Sequence, residues 1–132
     1  MKTVLDMSLV SDLVMIDISI WNKTINRYSQ MSITVDTGAS VTTISTDILK
    51  KLGYDVISGK EKRIITASSV EYVRTVNVDG IKIGEIEIKG IEVYAHTFPE
   101  SSFSLGVLGL NVLKNFDVSL LFSKNEMEIY SI

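Results

Sequence analysis

Residues 31–40 read MSITVDTGAS, an alternating run that leads into a short polar segment. Apolar side chains at every second position of this run are typical of a half-buried strand, so Asp36 stands where a strand ends and a turn begins. Gly38 allows a tight turn with open amide N–H groups, and the Thr37 hydroxyl can both donate and accept a hydrogen bond. We therefore predict that any chemistry of this chain occurs at Asp36, although Asp-Thr-Gly is also an ordinary turn sequence.

The segment before this run predicts a hairpin. Residues 14–21 alternate between apolar and polar side chains, as a strand with one buried face does. Residues 22–27 are rich in turn-forming side chains and lead back toward residue 31. The hairpin would deliver Asp36 at the end of its second strand.

The segment after Ser40 predicts a short strand followed by a short helix. Residues 41–44 are β-branched throughout, which favours a strand. A helix over about residues 46–52 follows, because Ser45 or Thr46 can cap its start and Gly53 can end it.

From residue 62 onward the pattern predicts strands. Asp79-Gly80, between two apolar residues, is a two-residue hairpin signal. Gly84 and Gly90 fall between pairs of isoleucines and predict bulges or tight turns. The predicted strands are residues 63–67, 71–78, 81–83, 86–88 and 91–93.

A second landmark is GVLGLNVL at residues 106–113, two apolar residues and a glycine followed by a short helix over about residues 110–115. On its own, Val107-Leu108-Gly109 is also consistent with a buried strand that ends in a turn. Its glycine lies about seventy residues after Asp36, with a helix and several strands between them, and the order and spacing of the two motifs make them more specific together than apart.

The two motifs resemble the active-site signature of the retropepsin-like aspartic proteases, and the resemblance extends from about residue 14 to residue 132. It implies one all-β domain over residues 1–132, a closed β-barrel or sandwich with the two short helices. It implies that Asp36 is catalytic and that a strand ending at Gly109 threads between two others, close to the turn of Asp36. The residues that would support the active site are Thr37, Gly38, Ala39, Ser40 and Gly109.

In the family, a hairpin called the flap folds over bound substrate, and its tip falls here on Thr66, Ala67, Ser68 and Ser69. An ordinary β-turn between Ile65 and Tyr72 is an equal alternative, because many members carry a glycine near the tip and this chain has serines. Retroviral members often have Asp and Arg where this chain has Ser40 and Leu110. The resemblance is therefore closer to cellular and bacterial members than to viral enzymes.

Composition narrows the classes of function. A hydrophobic content of 45% over 132 residues argues against disorder, and a net charge of −3 without a basic patch argues against nucleic acid as a partner. The chain has no cysteine and one histidine, His96, which excludes disulfides and zinc–thiolate sites and leaves a serine or cysteine triad without a spare base. We expect no metal and no cofactor, and His96 to be an exposed strand-end or loop residue. No apolar run is long enough for a signal segment or a membrane span, so we expect a cytoplasmic protein with no membrane partner.

The function implied by the resemblance is hydrolysis of a peptide or protein substrate by an aspartic endopeptidase. Its chemistry needs two carboxylates, so a homodimer would supply Asp36 twice, and the family precedent is that the chain ends of two subunits interleave. Two alternatives remain open: a catalytically silent dimeric peptide-binding module of the same fold, and a β-rich assembly domain in which Asp36 only caps a turn.

Overall fold

A computed structural model of the chain describes residues 1–65 and 67–132. Most of the described residues lie in strands, and three short helical segments interrupt them, so the all-β prediction is confirmed. The elements are β1 (Lys2–Asp6), β2 (Ser8–Val10), β3 (Leu13–Asn22), β4 (Arg27–Val35), β5 (Thr43–Ser45), α1 (Thr46–Lys51), β6 (Glu61–Ile65), β7 (Val70–Ile83), β8 (Ile86–His96), β9 (Gly106–Leu108), α2 (Leu110–Leu113), β10 (Phe116–Leu121), the 3₁₀ turn Phe122–Lys124 and β11 (Glu126–Ser131).

The strands form a three-stranded sheet in the order β1-β11-β10 and an eight-stranded sheet in the order β2-β3-β4-β9-β5-β8-β7-β6. The larger sheet curls until β3 meets β7, but only over the pairs Ser19–Lys82 and Ile20–Ile81. The architecture is therefore sandwich-like. Of the two predicted forms, a closed β-barrel or a sandwich, the structure has the second. The core is aliphatic, with Ile20, Ile33 and Ile81 among its fully buried side chains.

The hairpin that leads to Asp36 forms as predicted. Strand β3 pairs with β4 in antiparallel register from Met15–Thr34 to Asn22–Arg27, and β3 itself, with ten residues, is longer than residues 14–21 suggested. In the turn, the Asn22 side-chain oxygen accepts a hydrogen bond from the Thr24 amide at 3.0 Å.

The predicted hairpin turn at Asp79-Gly80 is wrong, because β7 runs straight through both residues and turns at Gly84-Glu85 instead. Gly80 is needed for close packing, since a Cβ there would clash with the Tyr28 hydroxyl. Gly84 adopts φ +60°, the left-handed conformation that favours glycine in such a turn.

Gly90 also has φ +60°, but it lies inside β8 and marks neither a turn nor an inserted residue. The register on its two sides, Val78–Ile91 and Gly80–Lys89, is continuous. The segments predicted as separate strands at 86–88 and 91–93 are thus one strand.

Both predicted helices form, and α1 (Thr46–Lys51) follows Ser45 closely as expected. Helix α2 (Leu110–Leu113) is two residues shorter than predicted, because Lys114 ends it and β10 begins at Phe116. Among the described residues, no helix is both long and apolar enough to cross a membrane.

The expectation that the chain ends interleave with a partner stays a prediction, and the fold of the single chain bears on it only at the C-terminal strand. Strand β11 lies between β1 and β10 of its own chain, from Lys2–Tyr130 on one side to Phe116–Ser131 on the other. Both of its hydrogen-bonding edges are therefore occupied. Within the described residues, only β1 and β10 leave an edge of this sheet open.

Candidate active site

Asp36 lies directly after β4, at the start of a tight turn. Its backbone amide donates to the Leu108 carbonyl at 3.0 Å, which ties the end of β4 to β9. The Ala39 amide donates to the Asp36 carbonyl at 3.2 Å and closes the turn. The Asp36 side chain is half-buried, and its Oδ1 accepts a hydrogen bond from the Gly38 amide at 2.8 Å. The carboxylate is thus held in one orientation, with its other oxygen available to a ligand.

Strand β9 lies between β4 and β5, as the predicted threading requires. It runs parallel to β4 and antiparallel to β5, with Val107 opposite both Thr34 and Thr43. Gly109 follows it and packs against the Asp36 turn so closely that an added Cβ would lie 2.8 Å from the Ala39 carbonyl oxygen. Glycine at this position lets the two segments meet.

Helix α2 is fastened to the segment after Asp36 by backbone hydrogen bonds. The Leu110 amide donates to the Ala39 carbonyl at 2.8 Å, and the Asn111 amide donates to the Ser40 carbonyl at 3.1 Å. These bonds bring Ala39, Ser40 and Gly109 into one unit with Asp36. Thr37 and Gly38 are exposed on the same turn.

A hydrogen-bonded pair, buried Thr42 and half-buried Asn111, completes this unit and was missed by the sequence analysis. The Thr42 hydroxyl accepts from the Gly109 amide at 3.0 Å and donates to Asn111 Oδ1 at 2.8 Å. The same Oδ1 accepts from the Thr42 amide at 2.8 Å, and Asn111 Nδ2 donates to the Glu92 carbonyl at 2.8 Å. The available signal was the pair of polar threonines, Thr42 and Thr43, in an otherwise apolar β-branched segment, together with an asparagine two residues after Gly109.

The Asp36 turn forms one wall of a cleft of about 810 Å³. Of the predicted site residues, four line this cleft: Asp36, Gly38, Ala39 and Ser40. The opposite wall comes from β6 and β7, and further lining comes from Tyr94, His96 and Phe98. Such a volume is within the usual range for a ligand site.

Strands β6 and β7 form a hairpin where the resemblance implies the flap, and their last pair is Ile65–Val70. Ala67, Ser68 and Ser69 are exposed at its tip, whereas Thr66 lies outside the described residues. Ala67, Ser68 and Ser69 do not line the cleft, but Ile64 and Ile65 at the end of β6 do.

Several charged or titratable residues of the cleft were not assigned to the site from sequence, among them Arg63, Glu71 and His96. His96 ends β8, as expected of a strand-end residue, but it is half-buried rather than exposed. Its Nε2 lies 4.0 Å from Glu71 Oε2 on β7. The described residues contain no group of three or more His, Cys, Asp or Glu side chains that could hold a metal ion.

The sequence and the structure were each compared with known proteins, and both matched proteins described as aspartic proteases or protease-like domains. Residues 21–115 match the family model described as "gag-polyprotein putative aspartyl protease". A retropepsin-like aspartic protease from Rickettsia conorii is 19% identical with a TM-score of 0.71, and the match covers 98% of this chain and 91% of that one. The retroviral protease-like domain of Ddi1 from Leishmania major is 12% identical with a TM-score of 0.59, covering 91% and 94%. No curated protein matches the sequence significantly.

Proposed function

Because this chain belongs to the gag-polyprotein aspartyl protease family, we propose that it is an aspartic endopeptidase in which Asp36 carboxylates from two copies hydrolyse a peptide bond. The observation that carries the proposal is the position of Asp36: a half-buried carboxylate, oriented by the Gly38 amide, on the wall of a cleft of about 810 Å³. A carboxylate that served only as a turn cap would not need a cleft in front of it.

The reaction needs one base and one acid, and two carboxylates that share a single proton supply both, as is established for aspartic proteases in general. The ionised Asp36 takes a proton from a water molecule, whose oxygen bonds to the substrate carbonyl carbon. The protonated Asp36 of the other copy polarises that carbonyl. When the carbon–nitrogen bond breaks, a proton passes to the leaving amine.

The supporting residues take roles that match their contacts. Gly38 orients the carboxylate through its amide, while Ala39, Ser40 and Gly109 join the turn to α2. Thr37 is exposed on the turn, where it can brace the second copy's turn.

The β6–β7 hairpin would cover a bound peptide. Its tip residues Thr66, Ala67, Ser68 and Ser69 would close over the substrate, and Ile64 and Ile65 would contact it from the cleft wall.

A homodimer follows from counting, since Asp36 is the only aspartate in an Asp-Thr-Gly or Asp-Ser-Gly sequence. A two-fold axis would pass between the two Asp36 side chains. Because β11 is enclosed by its own chain, we assign the contact to one of the two open edges of the three-stranded sheet, β1 or β10, and take β10 as the edge to test. Val118 and Leu120 on that strand are both 37% exposed, which suits burial against a second copy.

The whole chain, residues 1–132, acts as one domain in this proposal. We assign the enzyme to the cytoplasm, consistent with a chain that lacks cysteine and therefore needs no oxidising compartment.

A second candidate is a dimeric peptide-binding module without turnover. The serine-containing hairpin tip favours it, because a tip without glycine has fewer backbone conformations available for closing over a substrate.

One experiment separates the two candidates. The purified protein is incubated with a denatured protein mixture, with and without a statine inhibitor that imitates the tetrahedral transition state. Cleavage that statine blocks supports the protease. Tight peptide binding without cleavage at any protein concentration supports the binding module and contradicts the protease.

A further inference from the structure

The two faces of the β6–β7 hairpin differ in exposure, and the strand register tells which residues share a face. Ile64 lies opposite Glu71 and Lys62 opposite Val73, so these four residues lie on one face. Val73 is only 3% exposed, which identifies this as the face directed toward the body of the protein.

The other face carries Glu61, Arg63, Tyr72 and Arg74. Tyr72 is 61% exposed, and Glu61 pairs with Arg74 at 3.7 Å, so this face is directed to solvent. Arg63 belongs to this outward face by register, and it also lines the cleft.

Glu71 is the acidic group that the hairpin directs toward the cleft. Both Glu71 and Asp36 line it. The Glu71 side chain remains 45% exposed, and its 4.0 Å separation from His96 Nε2 is longer than a hydrogen bond. Its carboxylate therefore retains acceptor capacity toward a ligand.

Aromatic rings line the same cleft as this carboxylate. The Phe98 ring is half-buried and meets the His96 ring edge-on, with centroids 5.5 Å apart. Lys62, the cation on the inward face of the hairpin, places its ammonium over the Tyr94 ring at 5.9 Å. Glu71 and Phe98 together thus offer a negative group beside an aromatic ring in the same cleft.

Resting on the proposed protease function, we propose that Glu71 is a specificity-determining residue that selects peptides with an arginine side chain near the scissile bond. A guanidinium can donate two parallel hydrogen bonds to a carboxylate and stack on an aromatic ring. A lysine ammonium lacks the planar fork, so lysine peptides are poorer ligands, and acidic side chains are repelled by the charge of Glu71.

The test is a series of otherwise identical peptides that carry arginine, lysine, norleucine or glutamate at successive positions around the scissile bond. For the wild type, kcat/KM for arginine at one position exceeds that for norleucine by about two- to fivefold, the size expected for a partly exposed charge pair. In Glu71→Gln this ratio falls to about one, and in Glu71→Lys the glutamate peptide becomes the preferred one.

Glu61→Gln is the matched control, since it removes the same charge from the outward face of the same hairpin. It keeps the wild-type preference. A preference for arginine that survives in Glu71→Gln, or that Glu61→Gln removes equally, overturns the proposal.

Binding of the same peptides to Asp36→Asn protein, measured by calorimetry, separates this proposal from the proposed function. Arginine-selective binding that depends on Glu71 supports the specificity site even if the wild type cleaves nothing. Cleavage without any selectivity for arginine supports the protease and overturns the role of Glu71.

Discussion

Replacing Asp36 by asparagine changes the charge of one side chain and keeps its shape. An asparagine oxygen can still accept the hydrogen bond from the Gly38 amide, which the aspartate accepts at 2.8 Å, so the turn is retained. The amide cannot take a proton from water, and we expect kcat to fall about 10³-fold or more. The unfolding free energy should change by less than about 0.5 kcal/mol. Asp12→Asn is the control, because Asp12 lies exposed in a turn at φ +64°, where asparagine is well tolerated. A folded Asp36→Asn protein that retains wild-type activity contradicts the mechanism.

At the scale of the element, the link between β5 and α2 depends on Asn111. Asn111→Ala removes the acceptor of the Thr42 amide and hydroxyl, and Thr42 is fully buried. Leaving such groups unpaired costs about 2–4 kcal/mol, measurable by urea unfolding. Asn115→Ala, which loses only weaker bonds to the α2 carbonyls at 3.1 and 3.2 Å, should cost about 1 kcal/mol or less. Equal losses of unfolding free energy in the two variants would contradict a specific contribution of the Thr42–Asn111 pair to stability.

The continuous course of β7 is a second feature of this scale, and Gly80→Ala tests it. The new methyl group must displace the Tyr28 ring, whose hydroxyl donates to Glu87, and we expect a loss of about 1–3 kcal/mol. Burial and this hydrogen bond raise the pKa of Tyr28 to about 12, so the phenol remains a donor at neutral pH. Gly90→Asn, with no atom within 4 Å of the added Cβ and a conformation that asparagine tolerates, should cost less than Gly80→Ala. Gly80→Ala protein as stable as the wild type would contradict the close packing of Tyr28 against Gly80.

For the whole molecule, two copies must meet before either can act. Specific activity should therefore rise with protein concentration until the dimer saturates. Excess Asp36→Asn protein should inhibit the wild type by forming heterodimers with one carboxylate, whereas excess Asp12→Asn protein should not. Leu120→Lys, on the open edge of β10, should weaken the dimer in analytical ultracentrifugation more than Ile25→Lys in the exposed β3–β4 turn. Full activity of a monomer at high dilution would refute the dimer.

The sequence by itself determined what depends on neighbours along the chain. The hairpin at residues 22–27, the strand that ends at Asp36 and the helix before Gly53 all follow from alternation, turn residues and caps, whose interactions span only a few positions. The glycine motif at Gly109 was also recognisable, because its spacing from Asp36 is a property of the chain.

Only the tertiary structure decided among local signals of similar strength. Asp79-Gly80 and Gly84-Glu85 are both turn sequences. The turn forms at Gly84-Glu85, whereas Gly80 stays within β7, where the Tyr28 ring packs against it. The pairing of Thr42 with Asn111, sixty-nine residues apart, and the approach of His96 to Glu71 likewise appear only after β9 and β8 have packed beside β5. Contacts of this kind depend on which surfaces the folded chain brings together, so a local sequence pattern does not predict them.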